Sequence, residues 1–247
     1  MRDDLLHAQA SIDWSISNFP AFEQRMIDWV KNNLDIVLED GDPDASHDSV
    51  VVVEKSSFPL SFNVEVGLHI NAIRTSLDLL ATALAHRYGI ARPDHAYFPI
   101  VDSRAAFASG KYRGKQFVEG LPLREREIIE YLEPYRGGND LLILLHDMDV
   151  QRKHRKLLAA QITPSKFGIK GGNFSKTFVP NSPGFPRTDN KTELGKLAKG
   201  AARPQIQLHA YVAFDEAFFP KGVRVSSALN DFAGLAKSIV ALFDDDR

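Results

Sequence analysis

Apolar residues recur every three or four positions along several stretches of this chain, and each such stretch predicts an amphipathic helix. The first runs from about Leu5 to Leu38, broken or bent at Pro20, with Trp14, Phe22, Met26, Trp29 and Val30 facing inward. The second, Leu68 to His86, places Val66, Ile70, Ile73, Leu77, Leu80 and Leu84 on one stripe flanked by Asn71, Arg74, Asp78 and Ala85. Asn63 is its candidate cap, and it stops where Gly89 and then Pro93 follow Tyr88. A short helix from Pro122 is stopped by Pro134, and Gly137-Gly138-Asn139 forms the turn that launches a helix over Asp140 to Ala160. The last, about Ser227 to Phe243, turns Leu229, Phe232, Ala236, Ile239, Val240 and Phe243 to one side.

Strands show a different pattern. Val50 to Val53 is a β-branched run, followed by a second extended piece near Ser61, and Gln205 to Phe214 alternates apolar and polar residues. Glu39 to Asp48 reads as an exposed loop. Ala91 to Gly120 is irregular, with Tyr97-Phe98-Pro99-Ile100 as a buried connector. Beyond Pro164, Gly168 to Asn190 suggests strands on long loops, and Lys191 to Gly200 suggests a mobile lysine-bearing excursion. These elements predict an α+β protein of one domain: a mainly helical core over about 5–163 and 227–243, and a β-rich portion over about 164–226. A small antiparallel sheet from the mid-chain and C-terminal strands completes it.

The 247 residues are 44% hydrophobic and 25% charged with a net charge of −2, so no global basic field draws the chain to nucleic acid. Any such contact is local. The absence of cysteine excludes disulfides, thiolate metal sites and a thiol nucleophile. No apolar run approaches a membrane span, and Met1 leads straight into Asp3 and Asp4, so the expectation is a cytoplasmic protein without a membrane partner.

The chemistry-bearing residues gather on two helices. On the later one, Arg155 lies along the apolar line of Leu141, Leu144, Leu145 and Met148, and Asp78 of the earlier helix is its expected partner, since Arg74 four residues before Asp78 also needs neutralising. Such a cluster is either a brace or a site. His154, near Val150, Leu157 and Asp147, is a candidate general base or a satisfied core-edge histidine. His146 and Asp149, three apart, can share a metal ion with ligands from elsewhere, although no H-x-x-x-H or H-E-x-x-H pattern occurs. Arg152, Lys153, Arg155 and Lys156 form a local basic patch able to contact RNA phosphates. Their position in the last part of a helix that begins with acids also complements its macrodipole. Gly110-Lys111-Tyr112-Arg113-Gly114-Lys115-Gln116 falls one residue short of a Walker A loop and lacks its closing Ser or Thr, and no other nucleotide fingerprint or nucleophile elbow is present. No cofactor is called for.

The stretch Leu68-His69-Ile70-Asn71-Ala72-Ile73-Arg74-Thr75-Ser76-Leu77-Asp78-Leu79-Leu80 resembles the L-H-N-L-R-S-A-L-D-H-L helix of a large uncharacterised bacterial family. The resemblance extends to Phe98-Pro99-Ile100, to Asp149 through Arg155 in place of that family's D-x-x-K-H-R, and to the closing strand and helix. The family's helix has the spacing of the R-x(4–6)-H motif of HEPN domains. The resemblance therefore implies a HEPN-like helical bundle of a kind that often dimerises and includes metal-independent ribonucleases. There, an arginine holds the scissile phosphate while a histidine moves the proton of the attacking hydroxyl. This chain keeps Arg74 and Asp78, has Thr75 after the arginine, and has Leu79 where the histidine would stand. The resemblance then implies one of two things. The chain is a degenerate binding or scaffold module, in bacterial defence or stress response, or it is a nuclease in which His154, with Arg74 and Arg155, supplies the missing function.

Overall fold

The computed structural model describes residues 2–40, 46–171, 174–178, 187–188, 190–199, 205–216 and 222–244. It is an α+β, mainly helical protein, and contacts group it into two compact units: Met1–Ala21, Asn63–Leu158 and Ser226–Arg247, and Phe22–Phe62 with Ala159–Val225.

The first unit is helical. It holds the first part of α1 (Leu6–Asn33), nearly all of α2 (Leu60–Arg87), the short α3 (Arg104–Ser109), α4 (Lys115–Gly120) and α5 (Leu123–Tyr131), then α6 (Asp140–His154) and α7 (Val225–Leu242). Every residue of the α2 stripe from Val66 to Leu84 is buried, as are Leu229, Phe232, Ala236, Ile239, Val240 and Phe243 around α7. Each of the larger side chains contributes roughly 1.5–3 kcal/mol by leaving water, so these two stripes define the core. The end of α2 is as its sequence suggests: Gly89 is left-handed at φ 63°, its N–H donates to the carbonyl of His86, and Ile90 N–H reaches that of Ala85. That is a Schellman cap. Asn139 caps α6 by accepting from Leu142 N–H at 3.1 Å.

Two expectations for the early helices change. Asn63 lies inside α2, because the helix starts directly after Pro59, whose carbonyl accepts from Phe62 N–H, so the extended piece near Ser61 is helical. Trp14 is 45% exposed, its ring tilted at 5.3 Å from that of buried His69, whose Nδ1 also lies 2.9 Å from Ser15 Oγ. The region read as irregular contains α3 and α4, each one turn and a half long. α3 is capped by Ser103, which accepts from Ala106 N–H.

The second unit carries the strands. α1 is continuous through Pro20 and stops at Asn33, five residues before the expected Leu38, because Leu34–Glu39 is strand β1. Its Ile36 and Val37 pair with Val52 and Val51 of β2 (His47–Glu54), and this β-branched pairing overrides the helical periodicity. β3 (Ala160–Gly171) begins at the residue where α6 was expected to end. It pairs antiparallel with β7 (Gln205–Phe214) and runs through Pro164 at a register shift, a place where a missing N–H is tolerated. β4 (Phe174–Phe178) pairs with β3 on its other side. The lysine-bearing stretch is not an excursion: Lys191–Ala198 forms β6, paired with β2 and with the two-residue β5 (Arg187–Thr188). Two antiparallel sheets result, ordered β1-β2-β6-β5 and β4-β3-β7. Parts of the Gly168 to Asn190 stretch, and the side chains of Ile206 and Leu208, lie outside the described residues. Among the described residues no helix is long and apolar enough to cross a membrane.

Candidate functional site

The polar residues that flank the core stripe of α2 meet α6 along one seam inside the helical unit. Residues 67, 71, 74 and 78 follow one another at three- and four-residue steps and so share a face of α2, while 146, 149 and 153 do the same on α6. Gly67 opens the seam. A Cβ there would come within 2.9 Å of Arg152 Cδ, so the arginine stem crosses α2 where no side chain stands.

Arg74 occupies the middle of the seam, with its side chain 7% exposed. Its Nη1 is 2.9 Å from Asp78 Oδ1, and its Nε donates to His146 Nδ1 at 3.4 Å. Nη1 itself is buried and makes no well-directed hydrogen bond, so the contact with Asp78 acts by charge. Asp78 Oδ1 also accepts from the backbone N–H of Phe98 at 3.1 Å, tying the buried connector to α2. Burial, and next to it the Arg74 guanidinium, push the His146 imidazole below its ordinary range, against the opposite pull of Asp147, Asp149 and Asp78. It is therefore neutral at neutral pH, and with Nδ1 accepting, its proton sits on Nε2.

One turn along, Asp149 is the second anchor, with a side chain 6% exposed. It accepts from Asn71 Nδ2 and Arg152 Nε, both at 3.3 Å, on one oxygen and from Lys153 Nζ at 2.6 Å on the other. Asn71 also donates to Thr75 Oγ1. Both oxygens are committed to cations and an amide. Among the described residues no group of three or more His, Asp or Glu side chains is placed to hold a metal ion around His146 and Asp149.

The candidate residues thus separate into two groups. Arg74 and Asp78 are together and joined by His146, which sequence reasoning had weighed only as a metal ligand. Arg155 and His154 are elsewhere: α6 ends at His154, Arg155 leaves helical geometry at φ −129° and ψ −63°, and both are exposed. Neither is a partner of Asp78, so the expected Arg155–Asp78 brace is replaced by Arg74–Asp78. The helix is shorter than its periodicity suggested because β3 claims the chain from Ala160, which carries Arg155 off the apolar line. Asp147, the expected holder of His154, instead takes Arg136 Nη2 at 3.0 Å. Of the basic patch, Arg152 and Lys153 share the single carboxylate of Asp149, and Arg155 is exposed to solvent.

Comparison with family models, with curated proteins and with solved structures found no match. The chemical reading accordingly rests on geometry. Arg74 meets Asp78 through Nη1 and His146 of α6 through Nε, so two of its three nitrogens serve contacts within the seam.

Proposed function

We propose that this chain is a HEPN-like module of the bacterial cytoplasm that binds or scaffolds rather than cleaves, acting as a homodimer in defence or stress response. The observation that carries the reading is the commitment of the buried Arg74 to Asp78 and His146, together with Leu79 at the position of the motif histidine. Leucine transfers no proton. Contact with RNA in this reading runs through the exposed end of the basic patch, Arg155 foremost, since Arg152 and Lys153 are paired. The test is incubation of the purified chain with end-labelled single-stranded RNA in the presence of a chelator. The reading expects the RNA to remain intact, whereas protein-dependent products at defined positions would overturn it.

One observation favours a second reading, a metal-independent RNA-cleaving enzyme. A neutral imidazole 3.4 Å from an arginine is the pair that phosphodiester transfer needs, and here it is His146, not His154, that stands beside Arg74. In that reading His146→Ala abolishes cleavage and His154→Ala does not. The assignment with His154, Arg74 and Arg155 acting together predicts the reverse.

A further inference from the structure

A hollow of about 450 Å³ lies in the helical unit, lined by His95, Tyr97, Tyr112, Arg113, Gly114 and Lys115 among others, none of them a residue of the seam. Its size is that of a small-ligand site. It is built on the glycine-flanked segment that fails as a Walker A loop, and three features give the segment a fixed shape. Gly114 is left-handed at φ 96°, and a Cβ there would stand 2.7 Å from the Tyr97 carbonyl oxygen, so the chain presses against the connector at a point only glycine can occupy. The Tyr112 ring stacks on Phe107 at 5.3 Å with 18° between planes. The Arg113 guanidinium lies 3.4 Å above the Tyr97 ring.

The stack decides what Arg113 can do. It occupies a face of the guanidinium but leaves the N–H donors, which radiate in its plane, to make other bonds. Among the described residues Arg113 has no carboxylate partner. Lys115, two residues on, is 3.3 Å from Glu119, but with side chains 43% and 62% exposed that pair is worth little and is readily given up for a doubly charged anion. No Asp or Glu lines the hollow. Two cations, a pre-set planar fork and a histidine in the lining are the complement of a phosphate group, and the remaining volume accepts the organic part attached to it.

We propose that this hollow binds a small phosphate monoester, a sugar phosphate or a mononucleotide, with its phosphate held by Arg113 and Lys115 between the Tyr97 and Tyr112 walls. The site shares no residue with the Arg74 seam and does not rest on the HEPN-like reading.

The test is calorimetric titration of the full chain with ribose 5-phosphate, 5′-AMP, adenosine and inorganic phosphate, repeated with Arg113→Ala, Arg113→Lys and Lys115→Ala. Saturable binding of either ester is expected, tighter than that of inorganic phosphate and absent for adenosine. Arg113→Ala should weaken it by about tenfold or more, and Arg113→Lys by less, since lysine supplies charge without the fork. Arg113 is exposed, so unchanged thermal unfolding of the variants shows that the loss is local. The ester that binds more tightly identifies the source of the phosphate. No binding of either ester up to about 10 mM, equal affinity for inorganic phosphate, or unchanged affinity in Arg113→Ala would each overturn the proposal.

Discussion

Arg74 and Asp78, one turn apart on α2, lie 2.9 Å from each other, and the carboxylate oxygen that faces the arginine also accepts the backbone N–H of Phe98. One side chain therefore neutralises a buried charge and satisfies a buried amide at once. The connector from Tyr97 to Ile100 is fixed to the core helix by the same atom that compensates Arg74.

His146 makes stability depend on pH. Its folded-state value lies below the ordinary 6.5 because burial and Arg74 disfavour its charged form, so the unfolded chain binds the proton more readily. The stability it contributes is fully present above about pH 6.5 and is lost as pH falls from there through the lower folded value. Urea denaturation between pH 5 and 8 should show a decline on the acid side that is reduced in His146→Gln. An identical pH profile in the variant would count against this assignment.

Gly67→Ala separates helix propensity from the crossing of Arg152. In an open helix position the substitution adds about 1 kcal/mol of stability. Here the new methyl meets Arg152 Cδ at 2.9 Å and displaces a stem whose Nε holds Asp149, so the gain should be absent in the parent chain and appear in an Arg152→Ala background. Equal effects in both backgrounds would show that the crossing is unimportant.

The chain ends of the helical unit meet at Arg87. Its Nε and Nη2 donate to Asp4 at 2.7 and 3.0 Å, and its Nη1 donates to the Phe243 carbonyl at 3.0 Å. The hydrogen bond from Arg87 leads the influences that hold the Asp4 carboxyl below its usual 3.8. Its stabilising effect is then present above about pH 3.8 and lost as pH falls through the lower folded value. Arg87→Ala should lower stability by about 1–2 kcal/mol and speed hydrogen exchange in the short 3-10 helix Asp3–Leu5, whereas Asp4→Asn should do so by less.

Much of the helical core was legible because its stripes are long and uninterrupted: Val66 to Leu84 and Leu229 to Phe243 keep one face through several turns, and Gly89 and Asn139 are end signals with a mechanism. The errors fall where strand pairing competes with periodicity. Asp35-Ile36-Val37-Leu38 continues the pattern of α1, yet its β-branched residues find Val51 and Val52 as partners, and Lys191–Ala198 pairs with the same strand despite its charges. No local signal reveals a partner distant in sequence. The site was half legible for a related reason. Arg74 with Asp78 is an i,i+4 pair that can be read from spacing, but Arg155 was assigned by extending α6 past its end at His154. His146 escaped notice as the neighbour of Arg74 although its three-residue step to Asp149 already placed both on one face. The neutral acceptor needed by a buried Arg74 Nε–H was the signal to follow.

The claim on which the account turns is that Arg74 and Asp78 form a structural pair, and a double-mutant cycle measures it directly. Denaturant unfolding of Arg74→Met, Asp78→Leu and the double variant should give a coupling of about 1–2 kcal/mol, with the double variant more stable than Asp78→Leu alone because no unpaired buried cation remains. A coupling near zero, with each single substitution tolerated, would contradict the pairing and return Arg74 to the role of a free phosphate-binding group.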